Sequence, residues 1–189
     1  MWGLVEDNAI TKIINQPKGM VIGDTRHSRK IFSLWSEAEL NNVGLYSVVF
    51  DNSNKKDEKY YTNTNQTFAF ADGAVTSSYG SPTAKALADV TDEEDRVIPG
   101  LKTKHKEIIK RQASGLLTPT DWQVIKATEV ESYSVPSAIT TYRANVRTKS
   151  NDMEVLIDAC GTVDELADLY IYNDADPRVR PLGEFPEAV

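Results

Sequence analysis

The sequence predicts an α+β fold: a small β-hairpin-rich N-terminal unit followed by a C-terminal helical hairpin with a short extra helix. Three observations carry this expectation. Period-two alternation flanks Asp72-Gly73 in "TFAFADGAVTSSYG", helical periodicity sets in at Leu101, and it resumes behind Pro136.

The N-terminal elements follow in order. "WGLVEDNAITKII" is two apolar runs about a Glu-Asp-Asn turn, and Phe68, Phe70 and Val75 alternate across Asp72-Gly73, a strong short-range hairpin signal. Two hairpins are expected. Between them, "LWSEAELNNVGLYSVVFDN" reads as a one- or two-turn helix feeding a strand. Ser36 and Glu39 have capping-box spacing, Gly44 suits a left-handed C-terminal cap, and Tyr46, Val48 and Phe50 alternate. This unit is assigned to residues 1–76. Residues 77–100 are polar and acidic, with Pro82 and Pro99 bracketing "TDEED", and read as an acidic linker or loose edge.

A helical unit is expected over 101–172. On a helical wheel Leu101, Ile108, Ile109, Ala113 and Leu116 form one apolar arc, and Pro119 ends the helix because an interior proline loses a hydrogen bond and clashes with the preceding turn. Pro136 is tolerated in the first turn of the next helix. There Ile139, Tyr142, Val146, Lys149, Met153, Leu156 and Cys160 recur at spacings of three and four, a heptad-like seam stopped at Gly161. Packing this seam on the arc of the first helix, antiparallel within one chain, would bury both. The "TPTDW" stretch is then the connection of the hairpin, with Asp121 capping backbone amides and Trp122 plugging the open end of its core. Thr162 and Glu165 repeat the capping-box spacing and open a last short helix carrying Val163, Leu166 and Leu169. Residues 173–189 read as an extended tail, and "PLGEFPEAV" suits either a frayed end or a peptide docked on a neighbour.

At 189 residues and 40% hydrophobic content, the chain can bury one good core or a small domain with a helical appendage. No run approaches a membrane span, and the N-terminus has neither a basic nor an apolar signal region, so no membrane association is expected. The net charge of −7 is unevenly spread. Residues 1–100 carry 14 acidic and 10 basic side chains, residues 101–150 carry 4 and 9, and residues 151–189 carry 10 and 2. A basic middle is a nucleic-acid surface in one reading and the internal partner of the acidic end in the other. The overall acidity and the lack of a base-reading motif favour the second, with no nucleic-acid partner.

No catalytic or cofactor motif emerges. Cys160 is single and reads as a core thiol, and His27 and His105 are too few for a metal site. There is no Gly-x-Ser-x-Gly elbow and no glycine-rich phosphate loop after a strand. The expectation is therefore a non-enzyme with no metal and no cofactor. What remains for binding is Trp122 with Asp121, and Arg143 with Arg147 at i, i+4 on the long helix; the plainer alternative for the arginines is a solvated face paired with the acidic end.

A basic helix around Lys110 and Arg111, then Leu116-Leu117, Asp121-Trp122, and Tyr142-Arg143 with Arg147 follow one another over roughly residues 101–150. That order resembles the tail fibre assembly proteins of tailed bacteriophages. It lacks the proline-rich run often seen after the tryptophan in that family, and the N-terminal part matches in general style alone. The resemblance implies a protein of tail morphogenesis that binds a tail fibre or neighbouring tail protein, as an assembly chaperone in the host cytoplasm or, alternatively, as a permanent virion component. The residues it singles out for partner binding are Asp121, Trp122, Tyr142, Arg143 and Arg147.

Overall fold

A computed structural model describes residues 1–188, so Val189, the end of the expected tail, lies outside the described residues. The fold is α+β, strand-rich at the start and ending in a helical hairpin with an extra helix. It divides into two compact units, Met1–Thr83 and Ala84–Val189.

In the first unit, β1 (Trp2–Glu6) and β2 (Ala9–Ile14) form the first hairpin, turned by Asp7 and Asn8 at φ 51° and 62°. A second, β3 (Met20–Ile22) with β4 (Thr25–His27), was not legible in the sequence because each strand has only three residues. Two helices follow, α1 (Ile31–Leu34) and α2 (Glu37–Asn42). The expected capping box opens α2: the Glu39 amide donates to Ser36 Oγ at 3.3 Å, and the Ser36 amide donates to Glu39 Oε2 at 2.7 Å. Gly44 then turns the chain at φ 81° into β5 (Leu45–Asp51). A Cβ there would stand 2.5 Å from the Val5 carbonyl oxygen, so the position requires glycine on both counts.

After the two-residue strand β6 (Tyr61–Thr62), β7 (Thr67–Ala71) and β8 (Ala74–Ser78) make the hairpin expected at Asp72-Gly73, whose φ values are 52° and 75°. The sheet order is β2-β1-β5-β8-β7, parallel at β5-β8 and antiparallel elsewhere. Its terminal strands β2 and β7 meet again, so the sheet curls on itself. Alternation sorts the residues into two layers. Val5, Val48 and Val75 pack with Tyr46, Phe68 and Phe70, while Leu4, Ile14 and Leu45 pack with Met20, Ile31 and Leu40 from the hairpin and helices. Phe50, expected to continue the Tyr46–Val48 alternation inward, is instead 49% exposed at the strand's end.

The short strand β9 (Thr83–Ala84) precedes the second unit's own elements. The segment expected to be an acidic linker is structured: β10 (Val90–Thr91) pairs with β11 (Val97–Ile98), and Asp92 closes their turn by accepting from the Glu94 and Arg96 amides and the Arg96 Nε. The segment also caps the next helix, α3 (Leu101–Leu117). The Leu101 and Lys102 amides donate to the Ala86 and Leu87 carbonyls, and Asp89 Oδ1 accepts from the Gly100 amide at 2.8 Å. Bonds from the Thr103 side chain and the Gly100 amide hold the Asp89 carboxyl below its ordinary pKa. Helix-start amides have no partner inside the helix, which is why a polar segment that looks free in sequence is ordered here.

The hairpin connection also differs from expectation. Pro119 sits in a 3-10 turn, Thr118–Thr120, but "DWQVIKATE" forms a helix of its own, α4 (Asp121–Glu129), before α5 (Ser137–Ala159). The first residues of α5 meet the end of α3, with Tyr142 Oη donating to the Leu116 carbonyl. Its last residues meet the start of α3, where Lys102 Nζ donates to the Asp158 carbonyl. The two helices are therefore antiparallel within the chain.

The buried seam of α5 is Ile139, Tyr142, Val146, Ser150, Met153 and Ile157, ending at Cys160. Lys149 and Leu156 were expected in it, but each lies one residue off: the stripe drifts through Ser150 and Ile157, and Leu156 is 37% exposed. The capping box at Thr162 and Glu165 opens α6 (Val163–Asp168), which buries Val163 and Leu166. The tail docks on its own unit: Leu182 is fully buried with its amide donating to the Leu169 carbonyl, and Phe185 packs on Ala113, Tyr142 and Val146.

Candidate functional site

The site grows from an unavoidable problem at the end of α3. The last carbonyls of a helix lack intrahelical donors, and Pro119 prevents the helix from continuing to supply them. Side chains add donors there, and the Ser114 carbonyl also keeps the Thr118 amide. Thr118 Oγ1 donates to the Ser114 carbonyl at 2.8 Å and Thr120 Oγ1 to the Leu117 carbonyl at 2.8 Å. From α5, Arg143 Nη1 donates to the same Leu117 carbonyl at 2.8 Å and to Thr120 Oγ1 at 2.6 Å. Its Nη2 reaches Asp121 Oδ1 at 2.7 Å. A guanidinium is suited to this place because its fork of donors serves several acceptors at once and its charge complements the negative end of the helix dipole. Arg143 is 8% exposed, so it works as an internal clamp.

Beside the clamp, α3 and α5 enclose an open groove of about 470 Å³. Its apolar floor is Ala113 and Leu117, and its rim carries Lys110, Asp121, Arg143, Arg147 and Glu154. Lys110 Nζ pairs with Glu154 at 3.2 Å across the helices, as Lys106 does with Asp158 at 2.7 Å. The Asp158 side chain raises the Lys106 pKa. These pairs join the basic middle of the chain to its acidic end. Arg147, one turn beyond Arg143, is exposed and among the described residues makes one long contact, 3.4 Å from Nη1 to the Arg143 carbonyl.

On the other side of Asp121, α4 turns outward. Trp122 does not plug the hairpin: it is 55% exposed, as is Ile125 one turn later, and none of the nine residues of α4 is buried. The end of the core is filled instead by Tyr142, with Leu116, Leu117 and Phe185 packed against it. Tyr133 braces the helix from the following turn, its ring beneath Lys126 Nζ at 4.5 Å and its hydroxyl 3.3 Å from Gln123 Oε1.

Of the five residues expected to bind a partner, the structure thus brings Asp121, Tyr142 and Arg143 into the cap, places Arg147 on the adjoining groove and leaves Trp122 on the open face. Sequence reading named Lys110 only within the basic helix and missed Ser150, Asn151 and Glu154, because the relation of the four depends on helix pairing that no spacing reveals. It also missed Ile125, although its i+3 spacing from Trp122 was there to be read once α4 was assigned as a helix. His105 turns out to be tied to the segment just after α6, with Nδ1 2.7 Å from Tyr170 Oη. Among the described residues no cluster of three or more His, Cys, Asp or Glu is arranged to hold a metal ion. Comparison with protein families, with curated proteins and with solved structures finds no match to this chain.

Proposed function

We propose that this chain is a non-enzymatic bacteriophage tail morphogenesis protein that binds a tail fibre or a neighbouring tail protein as an assembly chaperone, in the cytoplasm of the host. The observation that carries the binding part is α4. Trp122 and Ile125, each 55% exposed, stand on a short helix whose base is pinned by the Arg143–Asp121 pair at 2.7 Å. An exposed tryptophan on a pinned element is what a protein interface uses as an anchor, because it buries a large area at little cost in side-chain entropy. The tail-assembly part rests on the order of residues from Lys110 to Arg147 described above.

The non-enzymatic part is supported by the groove, where both rim carboxylates, Asp121 and Glu154, are held in ion pairs. The reading assigns no cofactor, metal, membrane or nucleic-acid partner. Its test is affinity capture of the tagged chain from infected cells, with mass-spectrometric identification of what is retained. Phage tail proteins retained by the wild type and lost with Trp122→Ser support the proposal; retention unchanged by that substitution refutes the anchor. The chain at fibre-like copy number in purified particles would replace the chaperone assignment with that of a virion component.

A further inference from the structure

The groove beside the clamp carries an unbalanced charge. Lys110, Arg143 and Arg147 face Asp121 and Glu154, three cations against two carboxylates, in a protein whose net charge is −7. Two of the cations are engaged, Arg143 with Asp121 at 2.7 Å and Lys110 with Glu154 at 3.2 Å. The third, Arg147, holds among the described residues one weak bond at 3.4 Å to a backbone carbonyl. Its guanidinium has donors to spare, and a guanidinium is built to take a carboxylate through two parallel bonds. Ser150 and Asn151, on the same stretch of α5, add polar groups to the wall, while Ala113 and Leu117 lie one helical turn apart on the floor.

We infer that this groove binds an acidic, partly apolar segment of a protein partner, one carboxylate seated on Arg147 and a neighbouring aliphatic side chain on Ala113 and Leu117. The inference rests on the protein-binding reading above and names the partner's chemistry. Its volume of about 470 Å³ suits one or two side chains of an extended segment. The neighbouring ion pairs set the selectivity. A basic segment would meet the surplus cation, and an uncharged one would leave Arg147 desolvated without a partner, which is costly.

The test uses the full chain and a fluorescein-labelled peptide of sequence Glu-Leu-Asp-Leu-Glu, with its amide counterpart Gln-Leu-Asn-Leu-Gln, followed by fluorescence anisotropy. The acidic peptide is expected to bind, more weakly as salt rises, while the amide peptide does not. Arg147→Gln should weaken binding by about tenfold or more, the size of one lost charge-assisted pair, and Arg147→Lys by less. Arg111→Gln, which removes an exposed cation of α3 outside the groove, should leave binding unchanged. No binding of the acidic peptide, equal binding of both peptides, or an unaltered affinity for Arg147→Gln overturns the inference. Tail-protein capture that survives Arg147→Gln but is lost with Trp122→Ser removes the groove and leaves the proposed function standing. Peptide binding by a chain that captures no tail protein does the reverse.

Discussion

Replacing Arg143 by Met keeps most of the aliphatic volume and removes the clamp at the end of α3. The guanidinium makes three bonds of 2.6 to 2.8 Å from an 8% exposed position. Bonds to a charged group contribute about 1.5–3 kcal/mol each, but these three share one ion and do not add. Two features reduce the loss. The Leu117 carbonyl keeps the Thr120 hydroxyl at 2.8 Å, and the Asp121 side chain, 50% exposed, regains water. The cost therefore falls below that of breaking a fully buried pair, at about 2–4 kcal/mol. Asp121→Asn keeps an acceptor for Arg143 at a half-exposed site and should cost about 1 kcal/mol or less. Urea denaturation followed by far-UV circular dichroism measures both: the midpoint should fall clearly for Arg143→Met with the slope unchanged, and little for Asp121→Asn. Equal losses, or a larger loss for Asp121→Asn, would refute the clamp.

Asp89 caps α3 from the polar segment before it, and its lowered pKa means that its stabilising contribution is present above the ordinary carboxylate pKa and disappears as pH falls through the folded-state value. Asp89→Asn should accordingly lower the melting temperature at pH 7, and the gap from wild type should close on acidification; a gap independent of pH contradicts the assignment. Gly44→Ala should destabilise the first unit by about 1–3 kcal/mol, given φ 81° and the Val5 carbonyl 2.5 Å from the added methyl, and a neutral result in thermal melting would show that the turn yields. Val146→Asp places a carboxylate at a fully buried position and should cost several kcal/mol at every protein concentration. The wild-type melting temperature should in turn be unmoved by dilution, and a marked fall would mean that α3 and α5 pair between chains. Cys160 is 6% exposed, and burial, followed by the nearby Glu165 carboxylate, pushes its thiol above the ordinary pKa. A disulfide reagent at pH 8 should react slowly with the native protein and at once in denaturant, whereas fast native labelling would show an accessible thiolate.

What was legible in the sequence is what is local. Capping boxes at Ser36 and Thr162, the Asp72-Gly73 turn and the glycine at 44 are set by residues within four positions of one another, and each stands as read. The antiparallel pairing of α3 and α5 was also inferable, because the apolar stripes on the two long helices have to be covered. Its details were not. Shifting the seam from Lys149 and Leu156 to Ser150 and Ile157 is a drift of one position over a helix of 23 residues, which a heptad template cannot resolve. The polar segment before α3 looked free because its partners, the first amides of that helix, are backbone groups with no sequence signature. Trp122 misled for another reason: size and hydrophobicity argue for burial, but the end of the core is made by Tyr142 with Leu116, Leu117 and Phe185.

The Asp-Trp and Tyr-Arg pairs that carry the resemblance therefore separate into two kinds of residue. Tyr142 and Arg143 donate to the Leu116 and Leu117 carbonyls at the end of α3 and Asp121 accepts from Arg143, an arrangement that serves a need inside the chain whether or not a partner exists. Trp122 and Arg147 are adjacent to this cap and take no part in its bonds. Each is held by it, however, since α4 starts at Asp121 and Arg147 lies one turn beyond Arg143 on α5. On the proposed reading, a clamp that fixes one exposed aromatic and one cation on neighbouring elements would give a partner two anchors at a set spacing. Residues of the cap should then act on stability first and on binding through it, while Trp122 and Arg147 should act on binding with the fold intact. That division separates an interface from a surface that merely resembles one.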